Sequence, residues 1–326
     1  MDLDQCESFS WNEEQMKQTA GNKRIFTGAI TGAIHTPTMS PHLPVTKQQM
    51  VDDILSIYDA GGAVAHVHVR DQETGQPNAD QEMFREIAQE VKAHCDIIIC
   101  TTTGGKLGDS VENRGKVVVS LKPELASLNA GSLNFGLFHI VDNYSNWKFD
   151  WEKDYLVGTE DYIFANTFYT MRKFLDTFRA NQTKPELEIY DVGMINNIAH
   201  LIDAGHLQTP VYLQFVLGIL GGIAPTVENL VHLVNTAKGQ MGKFQWSVCA
   251  AGKNQFSMCA QGLIMGGHAR VGLEDNLFLE KGVKAKNSGE QIAKIIRIAR
   301  ELGIEPATPT EAREILGLKG LNMVAY

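Results

Sequence analysis

The stretch Gly61-Gly62-Ala63-Val64-Ala65-His66-Val67-His68-Val69-Arg70-Asp71 decides how the rest of the chain is read. Its front half is small and apolar, as in a strand buried on both faces of a parallel sheet. A strand repeats its side-chain direction every two residues, so His66 and His68 aim one way and Val67 and Val69 the other. Polar side chains on such a strand need a reason. Two imidazoles on one face make half a metal site; the other reading is a pair of core histidines satisfied by backbone carbonyls. A third ligand distinguishes the two.

Similar runs recur on either side. Strands are predicted at Ile25–Ile30, Ala63–Val69, Ile97–Thr101, Leu125–Asn129, Leu187–Tyr190, Val211–Leu217, Phe244–Val248 and Ala269–Leu273. Amphipathic helices fall between them, among them Lys47–Asp59, Gln81–Ala93, Val227–Lys238 and Glu290–Leu302, with Thr46 placed to cap the first. Eight strands alternating with helices predict an α/β protein, a TIM (β/α)8 barrel rather than an open doubly wound sheet. No Gly-x-Gly-x-x-Gly follows the first strand, and Gly28, Gly32 and the Gly104-Gly105 pair make no dinucleotide fingerprint. Residues 1–24 are polar and charged and read as an N-terminal extension, leaving 25–326 as a single barrel domain. The segment from Asn134 to Glu160, rich in Asn, Asp, Trp and Tyr, reads as an insertion after strand four. Such insertions cover active sites or build oligomer contacts.

Composition sets outer limits. With 326 residues and 44% hydrophobic content the chain has ample material for a core. A net charge of −9 argues against nucleic acid or an anionic membrane as partner. The five cysteines (Cys6, Cys95, Cys100, Cys249, Cys259) show no Cys-x-x-Cys spacing and read as thiols in a reducing compartment. The acidic start has no apolar signal-peptide run. The longest apolar stretch, Val211 to Pro225, contains Gln214 and three glycines and is too short to span a bilayer. A cytoplasmic location is expected.

In a TIM barrel the chemistry collects at the C-terminal ends of the strands. There the sequence places His66 and His68 (strand two), Thr101-Thr102-Thr103-Gly104-Gly105 (three), Ser127 and Asn129 (four), Glu188 (five) and Arg270-Val271-Gly272-Leu273-Glu274-Asp275-Asn276 (eight). Glu274 supplies the missing carboxylate. Two histidines and one carboxylate leave coordination positions open, as a catalytic divalent metal requires. Zinc is the first choice, and manganese, nickel or iron accept the same ligands. Arg270 and Asp275 are close enough in sequence for an oriented acid/base pair; alternatively, Glu274 and Asp275 merely favour the start of a following helix. Thr102 and Thr103 before Gly104 make a hydroxyl-lined turn with unhindered amides, suited to a carboxylate or phosphate, although β-branched residues also simply favour strands. Glu188, in a buried strand, needs a partner: an arginine, a metal-bound water or a protonated substrate group.

Several ordered segments carry a resemblance. They are Ile30-Thr31-Gly32-Ala33, Leu43-Pro44-Val45-Thr46, His66 to Asp71, Thr102 to Gly105, Lys122-Pro123-Glu124-Leu125-Ala126-Ser127-Leu128-Asn129, Gln214-Phe215-Val216-Leu217-Gly218, Gly266 to Asn276 and Ala307-Thr308-Pro309-Thr310-Glu311-Ala312-Arg313. From about residue 25 to 320 the chain resembles the β-keto acid cleavage enzymes. The resemblance implies a zinc-dependent TIM barrel that converts a β-keto acid and acetyl-CoA into acetoacetate and a new acyl-CoA, and it implies a homotetramer. It places the metal ligands on His66, His68 and Glu274, the catalytic pair on Arg270 and Asp275, and a strand-five carboxylate on Glu188. Substrate-side hydroxyls fall on Thr102 and Ser127. On this reading Asp275, oriented by Arg270, takes a C2 proton, while Thr102, Thr103 and Ser127 fix the carboxylate end.

One position departs from the pattern. The family member of lysine fermentation carries a Glu at the end of strand one, suited to an ammonium group, where this chain has Ile34. A charged amine beside a buried Ile is left unpaired, so an uncharged, apolar-tailed β-keto acid is expected. Two other classes compete: a metal-dependent hydrolase of the amidohydrolase type, and a non-catalytic protein that binds metal or CoA. The first normally adds histidines on strands five and six, and neither predicted strand has one.

Overall fold

Each of the eight apolar runs forms a strand, and together they close a parallel barrel. The strands are β1 (Phe26–Ala29), β2 (Val64–Val67), β3 (Ile98–Thr101), β4 (Leu125–Asn129), β5 (Lys184–Ile189), β6 (Val211–Leu217), β7 (Phe244–Ala250) and β8 (His268–Val271). Each pairs with its successor and β8 pairs back to β1, with Arg270 beside Thr27 in register. This computed structural model describes residues 22–104 and 109–326; most of the expected N-terminal extension, together with Gly105, lies outside the described residues.

Alternation sorts the strand residues. Ala65 and Val67 of β2 point outward into the main buried cluster with Met50, Ile54 and Ile57 of the helix Lys47–Asp59. Thr46 caps that helix as expected: its hydroxyl accepts from the Gln49 amide at 3.3 Å, and the Gln49 side chain returns a bond to the Thr46 amide at 3.0 Å. The opposite positions, among them His66, Cys100, Glu186, Gln214 and Arg270, are buried inside the barrel.

The two ends of the barrel differ. At the base, Lys23–Arg24 pairs in parallel with Glu305–Pro306, and Ala312 and Leu316 of the helix Pro309–Leu316 pack on Ile25, Val64, Ile98 and Leu125. Arg313 of that helix forks onto buried Glu124, with Nε and Nη2 each 2.9 Å from a carboxylate oxygen. At the top, the insertion after β4 starts from an antiparallel pair, Leu133–Asn134 with Ile163–Phe164, and holds the helix Trp151–Val157. Its fully buried Glu152 accepts from the Thr38 amide and hydroxyl and from the Phe149 amide, each at 2.9 Å. The Tyr155 hydroxyl donates to the Ala33 carbonyl at 2.9 Å, so the insertion is stitched to the loop after β1.

Strand two is shorter than expected. It leaves the barrel after Val67, and Val69–Arg70 turns into an antiparallel pair with Pro77–Asn78. The cause is Arg70, a fully buried guanidinium that donates to the carbonyls of Thr31, Gly32, His35 and Gly75. Among the described residues, Cys95, Cys100, Cys249 and Cys259 are free thiols, and no helix is long and apolar enough to cross a membrane.

Candidate active site

Five of the expected residues, His66, His68, Arg270, Glu274 and Asp275, converge at the top of β2 and β8. The His66 and His68 rings lie 5.2 Å apart between centroids. Glu274 reaches both: its Oε2 is 3.7 Å from His66 Nε2, and its Oε1 is 3.5 Å from His68 Nε2. Three nitrogen and oxygen donors each about 2.1 Å from a tetrahedral ion stand roughly 3.4 Å from one another. The three side chains are therefore spaced to hold one. Burial drives the His66 imidazole well below its ordinary value and His68 down to about 3, and the charge of Arg270 adds to both effects. Both rings are thus neutral, the form that ligates metal. Glu274 Oε2 is buried with no hydrogen-bond partner, an orphaned acceptor aimed at His66.

Arg270 organises the rest. Its Nε and Nη2 donate to Asp275 Oδ2 and Oδ1 at 2.9 and 3.0 Å, a bidentate pair that fixes the carboxylate plane. Nη2 also donates to Glu274 Oε1 at 2.7 Å, and Nη1 donates to Gln214 Oε1 at 2.9 Å. Glu188 stands 3.6 Å from Nη1 and accepts from the Tyr190 hydroxyl at 3.3 Å. Burial pushes Asp275 up to about 6 and Glu188 up to about 8, with Arg270 opposing each rise. Three buried carboxyl groups crowd one guanidinium, and burial favours the neutral form of each.

A pocket open to solvent lies above these groups. Ile34, Thr102 and Gly104 line it, along with His68, Glu188, Arg270, Glu274 and Asp275. Thr102 Oγ1 accepts from the Gly104 amide at 2.9 Å, so the hydroxyl stands at the pocket wall while that amide is taken. Thr103 sits behind the wall, its hydroxyl donating to the Ser127 carbonyl at 2.7 Å, while Ser127, on the same strand face as the pocket residue Asn129, is buried a layer below it. Alternation explains this, because Thr102 and Thr103 face opposite sides of their backbone.

Sequence reasoning passed over the aromatic wall. Phe135, Tyr155, Tyr162 and Phe164 come from the insertion, whose residues approach the pocket through folding and not through strand alternation. It also passed over Glu186. Glu186-Leu187-Glu188 repeats the every-second-residue logic of the two histidines, and that alternation was the available signal. Neither β5 nor β6 carries a histidine, as an amidohydrolase-type site would require.

The β-keto acid cleavage enzyme family model matches residues 23–318. The chain is 44% identical to a 3,5-dioxohexanoate:acetyl-CoA acetone transferase of Paraburkholderia graminis, across 91% of this chain and 96% of the relative. It is 40% identical to a 3-keto-5-aminohexanoate cleavage enzyme of Acetoanaerobium sticklandii, across 91% and 98%. The solved complex of ObcA with oxaloacetate shares the fold at a TM-score of 0.69, with 19% identity over 86% of this chain and 68% of ObcA. A metal-spaced triad beside an arginine-held carboxylate at the mouth of such a barrel accords with that match, and the chain belongs to the β-keto acid cleavage enzyme family.

Proposed function

We propose that the pocket exchanges acyl groups between a β-keto acid and acetyl-CoA, giving acetoacetate and a new acyl-CoA. The observation that carries this reading is Asp275, a pocket carboxylate locked by two bonds from Arg270 beside the triad of His66, His68 and Glu274. A divalent metal held by that triad, zinc in this reading, polarises the keto group when bound and makes the adjacent C2 proton acidic.

The chain's own groups do the rest. Asp275 removes the C2 proton, and Arg270 keeps its carboxylate aimed during the transfer. C2 then bonds to the acetyl carbon as CoA departs as a thiolate. The thiolate attacks the original keto carbon, the C2–C3 bond breaks, and C2 recovers the proton from Asp275. Glu188 braces Arg270 from the β5 side. The Thr102 hydroxyl, which accepts from the Gly104 amide, donates its own proton to the substrate carboxylate, and the Thr103 hydroxyl anchors the turn on the Ser127 carbonyl.

The tail end of the pocket is apolar. Ile34, Phe135, Leu137, Phe164 and Ile219 line the pocket, and among the described residues its three carboxylates all lie against Arg270, leaving none of them for an ammonium group. An uncharged tail follows, in keeping with a relative named for 3,5-dioxohexanoate. Family resemblance further supports a cytoplasmic homotetramer, which light scattering checks. Turnover of 3-oxohexanoate and of 3-keto-5-aminohexanoate with acetyl-CoA, before and after chelation, tests the whole reading. We expect acetyl-CoA-dependent consumption that chelation abolishes and that favours 3-oxohexanoate; faster turnover of the amine refutes the tail assignment.

A further inference from the structure

Beneath the proposed metal triad, one buried carboxylate has no part in the chemistry above. Glu186 of β5 is completely buried, and its Oε1 lies 3.9 Å from His66 Nδ1. The Cys100 thiol approaches the same oxygen at 3.7 Å. His66 Nδ1 and Glu186 Oε2 are both buried without any hydrogen-bond partner. His66 Nδ1 faces Glu186 Oε1 across that 3.9 Å gap, and a buried ring nitrogen left without a partner is costly.

The ring's geometry says what they are for. His66 turns Nε2 toward Glu274 and Nδ1 toward Glu186. If Nε2 is to offer its lone pair to a metal, the ring proton must sit on Nδ1, where it needs an acceptor. We propose that Glu186 is that acceptor: a positioning residue that fixes the His66 tautomer and ring plane from below. The gap closes to a hydrogen bond with a relative shift of about 1 Å. Glu186 is fully buried and does not line the pocket, so it acts through His66 and not on substrate. The assignment rests on the metal site of the proposed function.

Zinc dissociation constants, measured by chelator competition, test it together with the visible spectrum of the cobalt(II)-loaded protein. Glu186→Leu, which removes the acceptor while keeping an apolar-compatible volume, should weaken zinc binding roughly 10- to 100-fold and shift the cobalt bands. Glu186→Gln retains an amide oxygen as acceptor and should recover most of the affinity and the wild-type band positions. Should Glu186→Leu fail to fold, a Glu186→Gln protein with more than a tenfold loss of affinity also overturns the proposal, since an acceptor role tolerates the amide. Wild-type affinity and cobalt spectrum in a folded Glu186→Leu protein overturn it outright, provided His66→Ala abolishes binding. A wild-type chain that binds no zinc or cobalt overturns the metal site itself, and this assignment with it.

Discussion

A methyl group on Gly32 would sit 2.2 Å from Glu274 Cγ, and the residue's φ of +56° already lies where only glycine is at ease. The loop after β1 can therefore pass the proposed metal ligand only without a side chain. Gly32→Ala should push Glu274 off its two histidines and weaken metal binding at least ~10-fold, as displaced site groups do; equilibrium metal titration would reveal it, and unchanged affinity would contradict the placement of Glu274. Asp275 predicts a different pattern. Asp275→Asn keeps the shape and leaves the triad untouched but cannot accept the proton, so turnover should fall roughly 10²- to 10⁴-fold with metal content preserved. Full turnover in a metal-loaded variant would remove Asp275 from the mechanism. At this scale the two histidines, Glu274, Arg270 and Asp275 were legible because strand alternation and barrel position select them. Tyr155 and Phe164 were not, because no local pattern states where an insertion will fold back.

Between elements, one fully satisfied polar joint is Asp53 on the helix Lys47–Asp59. Its carboxylate accepts from the Ser288 amide at 2.6 Å and the Ser288 hydroxyl at 2.7 Å, tying that helix to the start of Ser288–Glu301. Burial nevertheless outweighs these bonds and raises the carboxyl from 3.8 to about 7. The folded state thus holds this proton more tightly than the unfolded chain. Its contribution is fully present below about pH 4, declines as pH rises, and is gone above about pH 7, a span worth on the order of 4 kcal/mol. Denaturant unfolding between those limits should show this decline in the wild type and a flatter profile in Asp53→Asn; identical profiles would show that the group does not titrate there. The elements themselves were largely readable. β6, apolar except for Gln214, matches its expected bounds of Val211–Leu217, whereas β5 begins at Lys184, three residues early, because Lys184-Pro185-Glu186 does not resemble a buried strand. β8 begins at His268, whose Nδ1 accepts from the Ile25 amide at 3.1 Å, a bond to the neighbouring chain segment before β1 that no local pattern announces.

For the whole molecule, the βα alternation was enough to foresee the closed barrel, since eight parallel strands with intervening helices have few other ways to pair every edge. The stitching of the insertion to the β1 loop through Glu152 and Tyr155 was not foreseeable, because both partners are distant in sequence. The sealed base has a further consequence, one of traffic. With Ala312 and Leu316 filling the bottom of the barrel, both reactants of the proposed exchange must use the mouth at the top. The smaller acid has to settle first, because a bulky thioester lodged above it bars the way. Initial-rate kinetics should accordingly show compulsory order, with the new acyl-CoA leaving before acetoacetate, and a random-order pattern would mean that the mouth is wide enough for both to pass.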